Sequence, residues 1–174
     1  MAETDVAPTR LRRAWAALDH VPDPEIPAIS VCELGIVRDV VEVGDELEIV
    51  VTPTYSGCPA TELIERQILD AIEAAGLGPA RTRTRRAPAW SSDWITPEGR
   101  RKLQAYGIAP PGAAQTESRV PVRSIRRRAV EAPVPCPRCA STQTSLLSAF
   151  GSTACKSLHR CLRCLEPFEY FKPI

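Results

Sequence analysis

The chain has 174 residues, 44% hydrophobic and 25% charged, which suits one ordinary globular domain plus a small second module. No apolar run approaches the roughly 20 residues of a membrane-spanning helix, and MAETDVAPTR at the start has no apolar signal-peptide core, so the sequence reads as cytoplasmic. The net charge of +1 conceals an asymmetry: residues 1–99 hold 9 Lys/Arg and 17 Asp/Glu, whereas residues 100–174 hold 13 and 4, which suggests two modules with separate electrostatic roles.

In chain order, TRLRRAWAALD (9–19) places Leu11, Ala14, Trp15 and Leu18 on one helical face, with Thr9 as N-cap. The prolines of VPDPEIP forbid continuation and force a loop. VRDVVEVGDELEIVVT reads as a β-hairpin turning at Gly44-Asp45, with Leu47, Ile49 and Val51 alternating against Glu46 and Glu48. PTYSGCPATELIERQILDAIEAAG is a loop entering a helix. Pro59 suits its first position, Ala60, Leu63, Ile64, Ile68, Ala71, Ile72 and Ala75 form the buried stripe, and Gly76 ends it. RTRTRRA is a third strand, polar on both faces. Thr96-Pro97-Glu98 starts a short helix that ends near Gly107. These readings give a first domain over 8–107. Residues 108–135, rich in Pro, Ala, Arg and Gly, read as a linker, and 136–174 as a second module.

The second module carries CPRC at 136–139 and CLRC at 161–164. Two residues between thiolates place both sulfurs on one side of a tight turn, and two such knuckles close a tetrahedron around a metal. Cys136, Cys139, Cys161 and Cys164 are therefore expected to hold one structural zinc in a ribbon, the alternative being an iron–sulfur cluster on the same thiolates. About 39 residues bury too little surface to fold alone, so the metal supplies much of the folding energy. Cys155 and His159 lie between the knuckles and read as hairpin residues rather than ligands. Seven cysteines in a reducing compartment are not a disulfide framework.

Cys58 stands apart, in Thr54-Tyr55-Ser56-Gly57-Cys58-Pro59 ahead of the longest helix. A thiol there meets the positive end of the helix dipole and free backbone N–H groups, and Gly57 permits a positive φ or close approach. Position alone leaves two readings: a reactive or metal-binding thiol, or a small buried hydrophobe. Cys32 reads as packed and His20 as structural, while Asp23 and Glu25 are either acids near Cys58 or caps of their own loop. No paired carboxylates, Ser-His-Asp set or Gly-rich phosphate loop is present, so a self-contained enzyme is not expected. The arginines at 81, 83, 85 and 86, and at 123, 126, 127 and 128, have no interleaved aromatics. They read as a solvated strand face and a solvated linker rather than a nucleic-acid surface.

DPEIPAISVCELGIVRDV, the hairpin after it, and TPTYSGCPATELIE resemble the small domain of SufT-like iron–sulfur cluster assembly factors, over roughly residues 8–105. That resemblance implies an α+β protein: a small α/β sandwich-type assembly domain, here followed by the zinc ribbon. It also implies that Cys58 is the functional thiol, with Asp23, Thr54 and Gly57 as supporting positions. The third strand in that family is usually apolar, unlike RTRTRR here. APAWSSDWITPEGRRKLQAYGIAPP, CPRC and FGSTACKSLHRCLRCLEPFEYFKPI are similar to the D-subunit family of the bacterial phenylacetyl-CoA oxygenase (epoxidase) system. This second resemblance covers nearly the whole chain. It implies an accessory subunit in phenylacetate degradation, with the other oxygenase and reductase subunits as partners. Its role would be maturation of their metal centres through iron or a cluster held transiently at Cys58, with a second thiolate from a homodimer. A structural adaptor without metal transfer is the alternative.

Overall fold

The computed structural model describes residues 9–55, 57–112 and 133–174, and divides into two compact units, the first ending at Trp90 and the second beginning at Ser91. Most of the expected linker, with Arg123, Arg126, Arg127 and Arg128, lies outside the described residues.

In the first unit, α1 (Arg10–Leu18) is capped by Thr9, whose Oγ1 accepts from the Arg12 N–H at 3.4 Å, and it buries Ala14 and Leu18. The proline loop that follows is more than a break. Val21, Ile26, Ile29, Val31, Leu34 and Ile36 are all buried, and backbone bonds such as Val31 N–H to Val21 O (2.9 Å) fold the loop on itself. Strands β1 (Val37–Val43) and β2 (Glu46–Val51) form the expected antiparallel hairpin, and β3 (Ala80–Thr84) lies parallel to β2 on its other side. The order β1-β2-β3 makes β2 the central strand. Leu47, Ile49 and Val51 are buried as their alternation requires, but so are Glu48 and Val50 on the opposite face. A central strand has neighbours on both edges, and Glu48 is matched there by Arg81 and Arg83.

Helix α2 (Thr61–Ala74) is the crossover between the parallel strands, as a parallel connection demands. Its buried line is Ile64, Ile68 and Ile72, spaced four apart, each contributing about 1.5–3 kcal/mol by burial. Leu63, expected in that stripe, is 46% exposed, because it lies one residue, and so ~100°, round the helix from Ile64. The helix also starts later than Pro59: Ala60 is the N-cap, without a side-chain cap, and Pro59 belongs to the turn leading in. Trp90 closes the unit, buried, with its Nε1–H donating to Leu34 O at 3.2 Å.

The second unit starts earlier in the chain than the composition implies. A 3-10 turn (Ser92–Trp94) leads to α3 (Pro97–Tyr106), capped by Thr96 Oγ1 accepting from Gly99 N–H (3.0 Å) and ended by Gly107. Then β4 (Ile108–Ala109), placed by composition at the start of the linker, pairs parallel with β7 (Pro167–Phe171). The other strands are β5 (Thr144–Ser148) and β6 (Lys156–Cys161), in the order β4-β7-β6-β5. Ser92 N–H donates to Ile174 O at 3.0 Å, tying the first residues of the unit to its last. A two-residue strand has no periodicity to read, so β4 does not stand out from the surrounding Pro- and Ala-rich sequence. Lys156, with its side chain 3% exposed, forms an ion pair with Glu169 at 2.8 Å. Among the described residues no helix is long and apolar enough to cross a membrane.

Candidate metal centre and functional thiol

The first knuckle lies between Val134 and β5, the second between β6 and β7. In each, the last cysteine is followed by a residue in the left-handed region, Ala140 (φ 58°) and Leu165 (φ 66°). Neither is glycine, so each turn holds about 1–2 kcal/mol of backbone strain that the surrounding fold must sustain. Ala140 N–H donates to Cys136 O at 2.9 Å, and Cys164 N–H reaches Cys161 Sγ at 3.5 Å. A backbone N–H aimed at sulfur favours the thiolate: the Cys164 N–H first, then the Arg163 N–H and the neighbouring thiols of Cys164 and Cys139, outweigh burial and lower the Cys161 thiol to about 6.

The two knuckles, some 25 residues apart in sequence, meet: the sulfurs of Cys136, Cys139, Cys161 and Cys164 all lie within 4.8 Å of one another. Sulfurs on a tetrahedron with metal–sulfur bonds of about 2.3 Å are about 3.8 Å apart. Cys136 and Cys164 are 3.8 Å apart, and Cys139 and Cys161 3.6 Å, so this set fits a zinc-sized ion. Around them Ala109, Cys136, Cys161 and Phe168 form one buried cluster, with Val134, Cys139, Cys164 and Tyr170 packed against it. The ligand set is therefore also a large share of this cluster.

Cys155 and His159 are not in this set. Cys155 is buried against Thr153 Oγ1 at 3.0 Å, and His159 Nε2 is 3.0 Å from Ser157 Oγ with its ring stacked on Phe168. Among the described residues no second group of three or more Cys, His, Asp or Glu converges, so Cys58 and Asp23 are not part of a preformed cluster site within the chain.

Cys58 is half-buried and keeps a route to solvent. Its N–H donates to Tyr55 O (3.4 Å), and its carbonyl accepts from both the N–H (3.2 Å) and the hydroxyl (2.9 Å) of Thr61, the first residue of α2. The loop is thus fastened to the helix head by the backbone of the cysteine, and the sulfur takes no part in the fastening. Gly57 has φ +84°, and a Cβ there would meet nothing within 4 Å, so the demand for glycine is conformational and not steric. Gly57→Ala should cost about 1–2 kcal/mol, read as a shift in the denaturant midpoint of the first unit without a change in slope. Thr54 is buried. Asp23 is 5% exposed, and its Oδ1 accepts from Glu25 N–H (2.9 Å) and Ile26 N–H (2.8 Å), so the carboxylate shapes the proline loop. At Cys32, burial, then the charge of Asp19 and a hydrogen bond to it, hold the proton on.

Two family models match the chain, an iron–sulfur cluster assembly protein over residues 11–82 and a PaaD zinc beta ribbon domain over 121–172. A curated relative from Escherichia coli (strain K12), the D subunit of a putative 1,2-phenylacetyl-CoA epoxidase, is 45% identical over 97% of this chain and 96% of its own length. The chain belongs to the D-subunit family of 1,2-phenylacetyl-CoA epoxidases. The D subunit thus joins an assembly-type α+β domain to a β-ribbon carrying four clustered cysteines. A crystal structure of a DUF59 domain from Bacillus anthracis, 23% identical, covers 54% of this chain and 91% of its own with a TM-score of 0.50, and shares the fold of the first unit. A solution structure from Mycobacterium tuberculosis, of a protein associated with Fe-S complex assembly and repair, is 34% identical over 62% of this chain and 94% of its own, with a TM-score of 0.35.

Proposed function

We propose that this D subunit is a non-catalytic maturation factor of the phenylacetyl-CoA oxygenase system in phenylacetate degradation. Cys58 accepts iron or an iron–sulfur cluster as cargo and passes it to cysteines of a client protein. Transfer is ligand exchange: a client thiolate replaces the Cys58 thiolate on the metal, with no net redox change. The observation that carries this reading is a half-buried cysteine whose sulfur makes no hydrogen bond among the described residues, on a loop fixed by its own backbone, in a domain of the assembly type. Because no second ligand group converges on Cys58 among the described residues, the remaining ligands come from the client or from a second copy. Asp23, Thr54 and Gly57 shape the two loops and act as positioning residues. Cys136, Cys139, Cys161 and Cys164 hold one zinc, whose role is to fold the ribbon, and the ribbon recognises the other oxygenase and reductase subunits.

The test is co-production of the oxygenase and its reductase with wild-type or Cys58→Ala protein, followed by iron and acid-labile sulfide analysis of the purified partners. The expected result is cluster content falling to background with Cys58→Ala, while that variant still co-purifies with the complex and retains about one zinc per chain. Full cluster content with the variant would leave the protein as a structural adaptor.

A further inference from the structure

The arginine row of β3 is matched unevenly. Arg81 pairs with Glu46 (2.7 Å) and Glu48 (2.8 Å), and Arg83 pairs with Glu48 (2.6 Å). All four residues lie on one face of the sheet, since Glu48 stands abreast of Arg81 and Val50 abreast of Arg83 in the parallel register. Two residues further on, Arg85 continues the ladder, donating its N–H to Val51 O at 2.7 Å. The β2-side residue abreast of it is Thr52, so no carboxylate stands opposite Arg85 on that strand.

Two side-chain donors therefore stand without an acceptor. Thr52 is 1% exposed and its Oγ1 has no hydrogen-bond partner among the described residues, and the Nε of Arg85 is also buried without one there. Leaving a buried polar group unmatched is costly, and two side by side, each one residue past the paired ends of β2 and β3, point to a bound partner. A second guanidinium stands nearby. Arg38 rises from the irregularity in β1 between Val37 and Asp39, and burial together with the charge of Arg85 disfavours its protonated form. Like charges brought together at the end of a sheet form a place for an anion.

We infer that Thr52 and Arg85, with Arg38 beside them, bind a small oxyanion, phosphate or carboxylate, at the end of the sheet from which the Cys58 loop departs. Bound there, the anion accepts from the Arg85 Nε–H and the Thr52 hydroxyl and screens the two guanidinium groups from each other. This site stands independently of any metal at Cys58.

The full-length protein should be titrated with inorganic phosphate and, separately, succinate, at ionic strength matched with sodium chloride, following Tm and backbone amide shifts. One of the two anions should saturably raise Tm and shift the amides of Val51, Thr52, Thr84 and Arg85, and the one that saturates at lower concentration identifies the ligand class. Thr52→Val keeps the side-chain volume and removes the hydroxyl, and Arg85→Gln removes the charge. Each should weaken the response by about tenfold or more. In anion-free buffer both should melt at or above the wild-type temperature, because each deletes an unmatched donor or a repelling charge. The proposal is overturned if neither anion gives a saturable response, if both variants respond like wild type, or if both melt well below wild type in anion-free buffer. That last result would mean the protein already satisfies these groups.

Discussion

Replacing Cys161 with serine, or removing the metal with a chelator, should unfold the second unit and leave the first folded. Cys161 is fully buried at the end of β6, and with Cys136 it supplies half of the four-residue cluster around which Val134, Cys139, Cys164 and Tyr170 pack. A ribbon this small cannot replace that core with aliphatic burial. Zinc binding in comparable structural sites contributes about 10–16 kcal/mol at neutral pH, more than the stability of most whole domains. The left-handed turns at Ala140 and Leu165 add to the demand, because strain at both knuckles persists only while the cysteines are drawn together. An amide correlation spectrum reads the outcome directly: the resonances of β5, β6 and β7 should collapse to unfolded positions while those of β1, β2 and α2 remain. A ribbon still dispersed in the metal-free protein would remove zinc from the account of its folding.

Glu169→Ala should destabilise the ribbon by about 3–5 kcal/mol, even though it touches no cysteine. The loss comes from Lys156, whose ammonium would be left in an environment 3% exposed without its counter-charge, and from the Ser152 N–H, which also donates to Glu169. Replacing both members of the pair, Lys156→Met with Glu169→Leu, should recover most of that loss, since the buried charge disappears along with its partner. The pH dependence has a definite sign. Burial by itself raises the Glu169 pKa, but the Lys156 hydrogen bond and the Ser152 N–H outweigh it, and the net displacement is downward. A carboxylate with a depressed folded pKa contributes stability that is fully present above the ordinary value of about 4.3 and lost as pH falls through the folded value. The gap in Tm between wild type and Glu169→Gln should therefore be wide at neutral pH and close below about pH 4. A gap that stays constant with pH would show that the pair contributes nothing through its charge.

Local features were legible in the sequence because their causes are local. Thr9 and Thr96 cap helices since each hydroxyl needs only the N–H three residues on. The hairpin follows from Gly44-Asp45 and flanking alternation, and each cysteine pair from the length of a single turn. The features that escaped it involve a neighbour from elsewhere in the chain. Glu48 reads as solvent-facing by alternation and is buried, because β3 arrives from 33 residues away carrying Arg81. Leu63 reads as core and is exposed, because a stripe drawn from composition is wider than the line the sheet covers. Ile108 and Ala109 read as linker and form a strand, because they pair with Glu169 and Tyr170, a contact no window of sequence contains.

What the sequence determined by itself was the chemistry available: four thiols at metal-binding spacing, one more thiol ahead of a helix, and the elements that carry them. Spacing, capping and periodicity act over a few residues, and those residues are contiguous. The tertiary structure decided which of these groups meet and which are left unmatched. It closed the four sulfurs into one set, kept Cys155 and His159 out of it, left Cys58 half-exposed, and set Thr52 abreast of Arg85. Those outcomes depend on strand order and register, which are fixed by burial over the whole unit and not by any one segment.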